Sequence, residues 1–213
     1  MTTKKTGKTK ERILATALYL FNEEGEPSVT TNHIADEMDI SPGNLYYHFR
    51  NKDEIIWQIF LRYEEQIKQA LRSPDLRTAN AEDMWKYLNV IFETIWEYRF
   101  LYRNLIQLME RIEFLKRHFR HILALKSKTA LRILHDLASL SLLRADEETI
   151  ASLADQIALT ATFWLNYSIA IYDDRFDEEK RLNHGIFHIM RMVSPFLIEE
   201  EKAYLNKISQ QYL

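Results

Sequence analysis

Two pairs of histidines have a spacing that could bind a metal ion from one helix face. His184 and His188 are four residues apart, and His118 and His121 are three apart. Neither pair has a carboxylate at a spacing that would complete a metal site. We therefore favour the alternative, in which these histidines pack at a helical interface. The chain also lacks cysteine, a glycine-rich phosphate loop and a G-x-S-x-G elbow. The sequence therefore predicts neither an enzyme nor a metal or cofactor site.

A stretch over residues 30–49 carries polar and aromatic side chains in a different arrangement. It has the proportions of a helix-turn-helix, with a helix of about eight residues, a turn at Asp39-Ile40 and a second short helix. Asp39 falls where such a turn usually needs a positive φ, which Asp tolerates better than most residues. Ile40 and Leu45 would pack the two helices together. The outer faces are then shared by Pro42, Gly43, Asn44, Tyr46, Tyr47 and His48.

Capping residues and apolar spacing position this pair of helices. Apolar residues three and four apart predict a first helix over residues 9–24, which stops at Gly25. Thr30 or Thr31 is expected to cap the second helix and Ser41 the third, because their side-chain oxygens can accept from a free backbone N–H. Local signals therefore mark the start of both short helices.

Glycine and proline are scarce in the chain, which predicts an all-α fold. The 213 residues include only 4 Gly and 4 Pro, too few for the many tight turns of a β-sandwich or barrel. Asn51 is expected to cap a fourth, connecting helix that runs to Ser73-Pro74. Apolar periodicity predicts further helices over about residues 81–98, 101–109, 112–142, 147–172 and 178–193, and a last one after Pro195.

The charge of the chain is balanced overall and is basic only at its start. A formal charge of −3, from 28 Lys and Arg against 31 Asp and Glu, does not by itself suggest a nucleic-acid partner. Residues 1–12 differ, since they hold a local charge of +4. No uncharged apolar segment follows them, so we expect no secretory signal, and the absence of cysteine suits a cytoplasmic protein.

A run of 17 residues from Gln156 to Tyr172 carries no charge. The run is just short of the roughly 20 residues that span a bilayer. It contains five polar side chains and has no flanking excess of Lys or Arg. We therefore expect no membrane span, but a helix buried on most of its faces inside the domain or in a subunit interface.

Residues 29–55, VTTNHIADEMDISPGNLYYHFRNKDEI, resemble the DNA-binding segment of the TetR family of bacterial transcriptional regulators. The matching elements are Thr30-Thr31, Ile34-Ala35, Ile40-Ser41, the run from Leu45 to Phe49, and Lys52 followed by an acidic residue. Asp39 departs from the pattern, since the family commonly has glycine there. The resemblance implies a helix-turn-helix DNA-binding domain over residues 1–51 and a helical ligand-binding and dimerisation domain over residues 52–213.

The resemblance implies that the start of the second helix faces DNA. The hydroxyl of Thr30 or Thr31, together with the free N–H groups of the helix, should meet a phosphate. Asn32 takes a base-reading position, where its amide could bridge N6 and N7 of adenine. The alternative for this asparagine is an extension of the helix cap.

The resemblance also places the third helix in the major groove. Pro42, Gly43 and Asn44 would open it, and Gly43 would let the backbone approach base edges. Tyr47 would lay its ring against a thymine methyl group, with packing inside the protein as the alternative. Phosphates are the expected partners of Tyr46, His48 and Lys52. A packed ring is the alternative for the histidine, and a plain surface charge is the alternative for the lysine.

The basic arm from Lys4 to Arg12 would add sequence-independent contacts to DNA or serve as a solubilising tail.

The second domain is rich in large aromatic rings, which suit a hydrophobic small-molecule effector. An ordinary hydrophobic core is the alternative interpretation. The residues predicted to line the pocket are Phe92, Trp96, Met109, Phe119, Phe163 and Tyr167. The resemblance further implies a homodimer, formed by the helices at about residues 147–172 and 178–193, that binds double-stranded DNA at a near-palindromic operator.

The function implied by the resemblance is that of a ligand-responsive regulator, expected to be a repressor. A ligand in the bundle would tilt the fourth helix and change the spacing of the two recognition helices. A bundle that contacts a protein partner instead of a small molecule stays open as an alternative. A further alternative is a helical interaction module that has lost DNA binding.

Overall fold

The computed structural model of the 213-residue chain describes residues 2–72, 81–172 and 178–209. Within these ranges the structure is built from helices, with one isolated antiparallel bridge between Leu143 and Leu197. The prediction of an all-α fold is therefore confirmed. No helix in the described ranges is both long enough and apolar enough to cross a membrane.

The helices fall close to the positions that the sequence predicts. Their bounds are α1 Thr2–Leu20, α2 Thr31–Glu37, α3 Pro42–His48, α4 Lys52–Ala70, α5 Ala81–Glu97, α6 Arg99–Arg103, α7 Leu105–Arg111, α8 Glu113–Ser139, α9 Glu147–Ile171, α10 Glu178–Val193 and α11 Glu199–Ser209. The predicted end of the fourth helix at Ser73-Pro74 lies outside the described residues.

Two helices differ from their predicted form. The first begins at Thr2 rather than near residue 9, and its last turn, Phe21–Gly25, is π-helical. The single helix predicted over residues 101–109 is instead two short helices, α6 and α7, that meet at Asn104. The Asn104 side chain donates to the Phe100 carbonyl at 3.3 Å, and such local bonding competes with a regular helix.

Two compact units make up the chain. The first comprises residues 1–65 and 98–118, and the second comprises residues 66–97 and 119–213. The first unit therefore contains α1–α3, most of α4, and α6 and α7. The predicted domain boundary at residue 51 stays a prediction.

The capping interactions that position α2 and α3 are those expected from the sequence. The Thr30 hydroxyl accepts from the His33 backbone N–H at 3.1 Å, so Thr30 rather than Thr31 is the cap of α2. Ser41 caps α3 by accepting from the Asn44 N–H at 3.2 Å. Asp39, in the turn between them, has a φ of 54°. The expectation of a left-handed residue in this turn is therefore confirmed.

The second unit is held together by α5, α8, α9 and α10, whose apolar side chains form one core. α5, α9 and α10 approach each other closely at Gly185 of α10. A Cβ at this position would collide with ring atoms of Phe92 in α5 and Trp164 in α9. The Trp164 indole N–H also donates to the Arg181 carbonyl at 2.6 Å, which ties α9 to α10. A side chain as small as alanine would therefore force these rings to move.

Candidate nucleic-acid interface

The outer face of α3 carries the side chains that could read DNA. Leu45 is fully buried and Phe49 is 1% exposed, and these two residues anchor the helix to the first unit. Pro42, Gly43 and Asn44 are exposed at its start. Outside its own helix, no described atom lies within 4 Å of a Cβ built on Gly43. The start of α3 is therefore open to a close partner.

Both tyrosines of α3 point outward. Tyr47 is 77% exposed and Tyr46 is 49% exposed. The Tyr47 ring meets the half-buried His48 ring edge-on, with 5.2 Å between centroids. The Tyr46 hydroxyl lies 2.9 Å from the Thr31 hydroxyl, which links α3 to the start of α2. Tyr47 thus offers a free apolar ring, and Tyr46 offers a hydroxyl already held by a neighbour.

The start of α2 presents hydrogen-bonding groups beside α3. The Thr30 hydroxyl oxygen is used as the helix cap, which leaves its O–H as a donor. Asn32, in the first turn of the helix, is exposed. These groups can donate to a phosphate or a base edge.

The sequence suggests a phosphate contact for Lys52, and in this structure its ammonium is bonded within the protein. Its ammonium donates to the Glu26 carbonyl at 3.0 Å and to the Val29 carbonyl at 3.1 Å. It also lies 2.8 Å from the Glu26 carboxylate. These three partners occupy the three N–H donors of a lysine. In this conformation Lys52 holds the segment that precedes α2, and it has no donor left for a phosphate.

The basic arm is the start of α1 rather than a separate tail. Within it, the Lys10 ammonium lies 5.3 Å from the centroid of the Phe49 ring. Glu11 pairs with Arg62 of α4 at 2.6 Å, although both side chains are well exposed. The side chains of Lys4 and Lys5 lie outside the described residues.

Residues of α6 and α7 that the sequence did not single out hold the segment between α1 and α2 in place. Asn22, in the π-helical turn, accepts from the Phe100 N–H at 3.1 Å, and Arg103 donates to the Asn22 carbonyl at 2.8 Å. Arg111 donates to the Glu26 carboxylate at 2.8 Å. These pairs are 78 to 85 residues apart in the chain, so no local sequence signal marks them.

A small cavity of about 40 Å³ lies inside the second unit. Apolar side chains of α5, α8 and α9 form most of its wall. Two of its lining residues, Tyr87 and Lys126, carry polar groups at the ends of long side chains. Burial lowers the pKa of the Lys126 ammonium to about 7.

None of the six predicted pocket residues lines this cavity. Phe92 and Phe119 are buried, Trp96 is half-buried, and Met109 belongs to the first unit. Phe163 and Tyr167 are on the outside of α9, where they are 38% and 55% exposed. Aromatic content alone does not distinguish a cavity wall from a core or an exposed face.

The candidate histidines lie in ordinary packing environments. His118 pairs with the Glu64 carboxylate at 2.9 Å. The ring of His188 lies 4.7 Å from the Trp164 ring, and that of His184 lies 5.8 Å from Tyr172. Within the described ranges, no three metal-binding side chains come together.

The sequence matches two family profiles in succession. Residues 13–59 match a profile described as bacterial regulatory proteins of the tetR family, and residues 62–205 match one described as a bacterial transcriptional repressor. Among curated proteins, the HTH-type transcriptional regulator UidR of Escherichia coli K12 is 38% identical over 66 residues. That match covers 31% of this chain and 34% of UidR, so it spans about a third of each protein.

Solved structures resemble the chain over nearly its whole length. A TetR-family transcriptional regulator from Marinobacter aquaeolei VT8 is 33% identical, with a TM-score of 0.86 over 96% of this chain and 98% of that one. CprB from Streptomyces coelicolor, solved with its operator sequence, has a TM-score of 0.68 over 97% and 96% of the two chains, and at 17% identity it shows a shared fold. This chain belongs to the TetR family and is a DNA-binding transcriptional regulator, not an enzyme.

Proposed function

We propose that the protein is a repressor that binds a near-palindromic operator as a homodimer and is released by a hydrophobic small molecule. The observation that carries this proposal is the outer face of α3. There, Tyr47 and the glycine-containing start of the helix are exposed, while Leu45 and Phe49 anchor the helix from behind. A short helix presented in this way can enter the major groove of DNA.

Contacts to DNA divide into two kinds on this surface. Pro42, Gly43, Asn44, Tyr47 and Asn32 are proposed to face base edges, where contacts distinguish sequences. Phosphate contacts, which set the register on the duplex, are proposed for Thr30, Thr31, Tyr46 and His48. We leave Lys52 out of the second set, because its donors are used within the protein.

A row of exposed apolar side chains on α9 supports the proposed homodimer. Leu159, Phe163, Tyr167 and Ile171 follow each other at four-residue intervals and are between 38% and 60% exposed. A contiguous apolar surface of this kind usually marks an interaction site. A second copy of the same helix can cover it around a two-fold axis, and two copies would present two recognition helices to successive turns of DNA.

The cavity of the second unit supports small-molecule control. α4 extends from the first unit into the second, and Leu71, the residue directly after it, lines the cavity. A molecule that fills the cavity can therefore act on the helix that also carries α3. To switch the protein usefully, it must bind the DNA-free and DNA-bound forms with affinities that differ by about 1 to 3 kcal/mol.

A second candidate function is control by a protein partner that contacts the bundle. The small size of the cavity favours this alternative, since pockets for drug-sized ligands usually measure roughly 300 to 1,000 Å³. In this case the exposed face of α9 would have to serve both the second copy and the partner.

The proposal is tested by selecting bound duplexes from a random DNA pool with the full chain, and then screening hydrophobic compounds for release of the selected duplex. Enrichment of an inverted repeat followed by release supports the proposal. No enrichment at low salt would overturn the DNA-binding part. Enrichment without release by any compound would favour the protein partner.

The dimer is tested by sedimentation of Leu159→Asp, which places a charge in the exposed α9 row. The wild type is expected to sediment as a dimer and this variant as a monomer. Val90→Asp on α5 is the matched control, because Val90 is also an exposed aliphatic residue, at 48%. A wild-type monomer, or a dimer that survives Leu159→Asp, would contradict the proposed interface.

A further inference from the structure

The C-terminal end of α3 lacks the cation that the sequence assigned to a phosphate there. Lys52 donates to the Glu26 and Val29 carbonyls and pairs with the Glu26 carboxylate. In helix-turn-helix proteins, the N-terminal residues of the recognition helix contact bases, and the C-terminal end of that helix can contact the DNA backbone. A phosphate contact at this end of α3 therefore needs a different cation.

Arg50 lies two residues beyond His48, where α3 ends. Between these two residues, Phe49 has an extended backbone, with φ −141° and ψ 127°. Neighbouring side chains on an extended backbone point to opposite sides. Because the Phe49 side chain is packed inside the first unit, the Arg50 side chain points away from the core, and it is exposed. Its guanidinium therefore reaches solvent just beyond the end of α3.

The carboxylates that follow Arg50 in the chain already have partners. Asp53 pairs with the Arg111 guanidinium at 2.9 Å. Glu54 accepts from the Arg50 backbone N–H at 2.7 Å. The Arg50 guanidinium itself forms no ion pair or hydrogen bond with the residues that the structure describes. Its donors are therefore available to an anion from outside the chain.

The backbone at Arg50 is fixed, although its side chain is free. The Phe49 N–H donates to the Leu45 carbonyl of α3 at 3.0 Å. The Arg50 N–H is held by Glu54, and the Glu54 N–H donates to the Asn51 side chain at 2.8 Å. These bonds connect the end of α3 to the start of α4. Arg50 is thus held in a defined position relative to the proposed recognition helix.

Lys10 adds positive charge near this position. Its ammonium lies 5.3 Å from the centroid of the Phe49 ring, next to Arg50 in the chain. The planar guanidinium of arginine can donate two parallel hydrogen bonds to the oxygens of a phosphate. Charge and geometry at this end of α3 therefore suit the DNA backbone.

We propose that Arg50 binds a phosphate of the operator and so positions the C-terminal end of α3 on the duplex, in place of Lys52. The inference rests on the proposed insertion of α3 into the major groove and adds a residue to that interface. A phosphate contact carries no sequence information, so Arg50 contributes equally to the binding of every duplex.

The inference is tested by measuring the affinity of the full chain for the selected duplex and for a scrambled duplex between roughly 50 and 200 mM salt. Arg50→Gln should reduce the slope of log affinity against log salt concentration by about one unit. It should weaken binding of both duplexes by the same factor, about tenfold at the lower salt concentration. Arg50→Lys keeps the charge and should keep the slope of the wild type.

Arg117→Gln is the matched control, because Arg117 is an exposed arginine of α8 in the same unit. Its slope should equal that of the wild type. An unchanged slope for Arg50→Gln, or an equal reduction for Arg117→Gln, would overturn the inference. Weaker binding of the selected duplex alone would also overturn it, because Arg50 would then read a base.

The same measurements separate this inference from the proposed function. A wild type that binds the two duplexes equally would contradict operator recognition, while a reduced slope for Arg50→Gln would still support the phosphate contact. A wild type that prefers the selected duplex, with an unchanged slope for Arg50→Gln, would leave the proposed function intact and remove Arg50 from the interface.

Discussion

The carboxylate of Glu26 accepts a hydrogen bond from the Arg111 guanidinium at 2.8 Å, although 85 residues separate the two in the chain. The Glu26 side chain is only 2% exposed, and the Lys52 ammonium lies 2.8 Å from the same carboxylate. A buried carboxylate is stable only if it is paired and hydrogen-bonded, and here two cations provide the partners. The loop before α2 is therefore fixed by α4 on one side and α7 on the other.

Removing the charge of Glu26 is expected to destabilise the protein. Glu26→Gln leaves two cations without their shared anion and should lower the free energy of unfolding by about 2 kcal/mol. Urea titration of the variant measures the loss. Glu113→Gln is the control, since Glu113 is 72% exposed and lies 3.9 Å from Lys116, and its loss should stay below about 0.5 kcal/mol. Equal losses in the two variants would show that the Glu26 cluster contributes no more than a surface pair.

A methyl group added at Gly43 should weaken DNA binding without lowering the stability of the protein. Because no described atom outside its own helix would contact the added Cβ, Gly43→Ala should leave the melting temperature unchanged or slightly raised. The same methyl group would stand where the backbone of α3 approaches the bases, so affinity for the selected duplex should fall about tenfold or more. Fluorescence anisotropy with labelled duplex measures the change. Unaltered affinity would mean that Gly43 does not approach DNA closely.

Truncation of Tyr47 should affect recognition alone. The ring is 77% exposed, so Tyr47→Ala is expected to melt like the wild type but to bind the selected duplex roughly 10- to 100-fold less tightly. Tyr19→Ala, which removes a ring that is 60% exposed on α1, controls for the loss of a surface tyrosine. The proposed contact would be ruled out if both variants kept full affinity, or if both lost it equally.

The lowered pKa of Lys126 predicts how stability depends on pH. Between its folded value of about 7 and the ordinary value of 10.5, the unfolded chain holds a proton that the folded chain lacks. The free energy of unfolding should therefore rise with pH across this window, by roughly 1 kcal/mol per pH unit. Lys126→Met should remove that part of the slope between pH 7 and 9, because other titrating groups are the same in both proteins. Identical slopes would show that Lys126 is not desolvated in the folded protein.

The sequence predicted the features that depend on residues close together in the chain. Thr30 and Ser41 cap α2 and α3 because each side chain reaches a backbone N–H three residues ahead. Asp39 has a positive φ because the turn between the helices requires one. Such interactions are settled within a few residues, so residue types and spacing were sufficient to predict them.

Features that depend on distant residues could not be predicted in this way. Lys52 was expected to contact a phosphate, and only the folded chain places Glu26 beside it. Phe163 and Tyr167 were predicted to line a pocket because they are large and apolar, yet they face outward on α9. Hydrophobicity shows that such a side chain avoids water, but it does not show whether a core, a ligand or another subunit covers it.

The most direct test of this account is the affinity of the full chain for the selected duplex and for a scrambled duplex of equal length and composition, measured at one salt concentration near that of the cell. If α3 reads bases in the major groove, the selected duplex should bind about 1,000-fold more tightly or better, and Tyr47→Ala should reduce that ratio. Equal affinity for the two duplexes would mean that only phosphates are contacted, and it would contradict the proposed recognition of an operator.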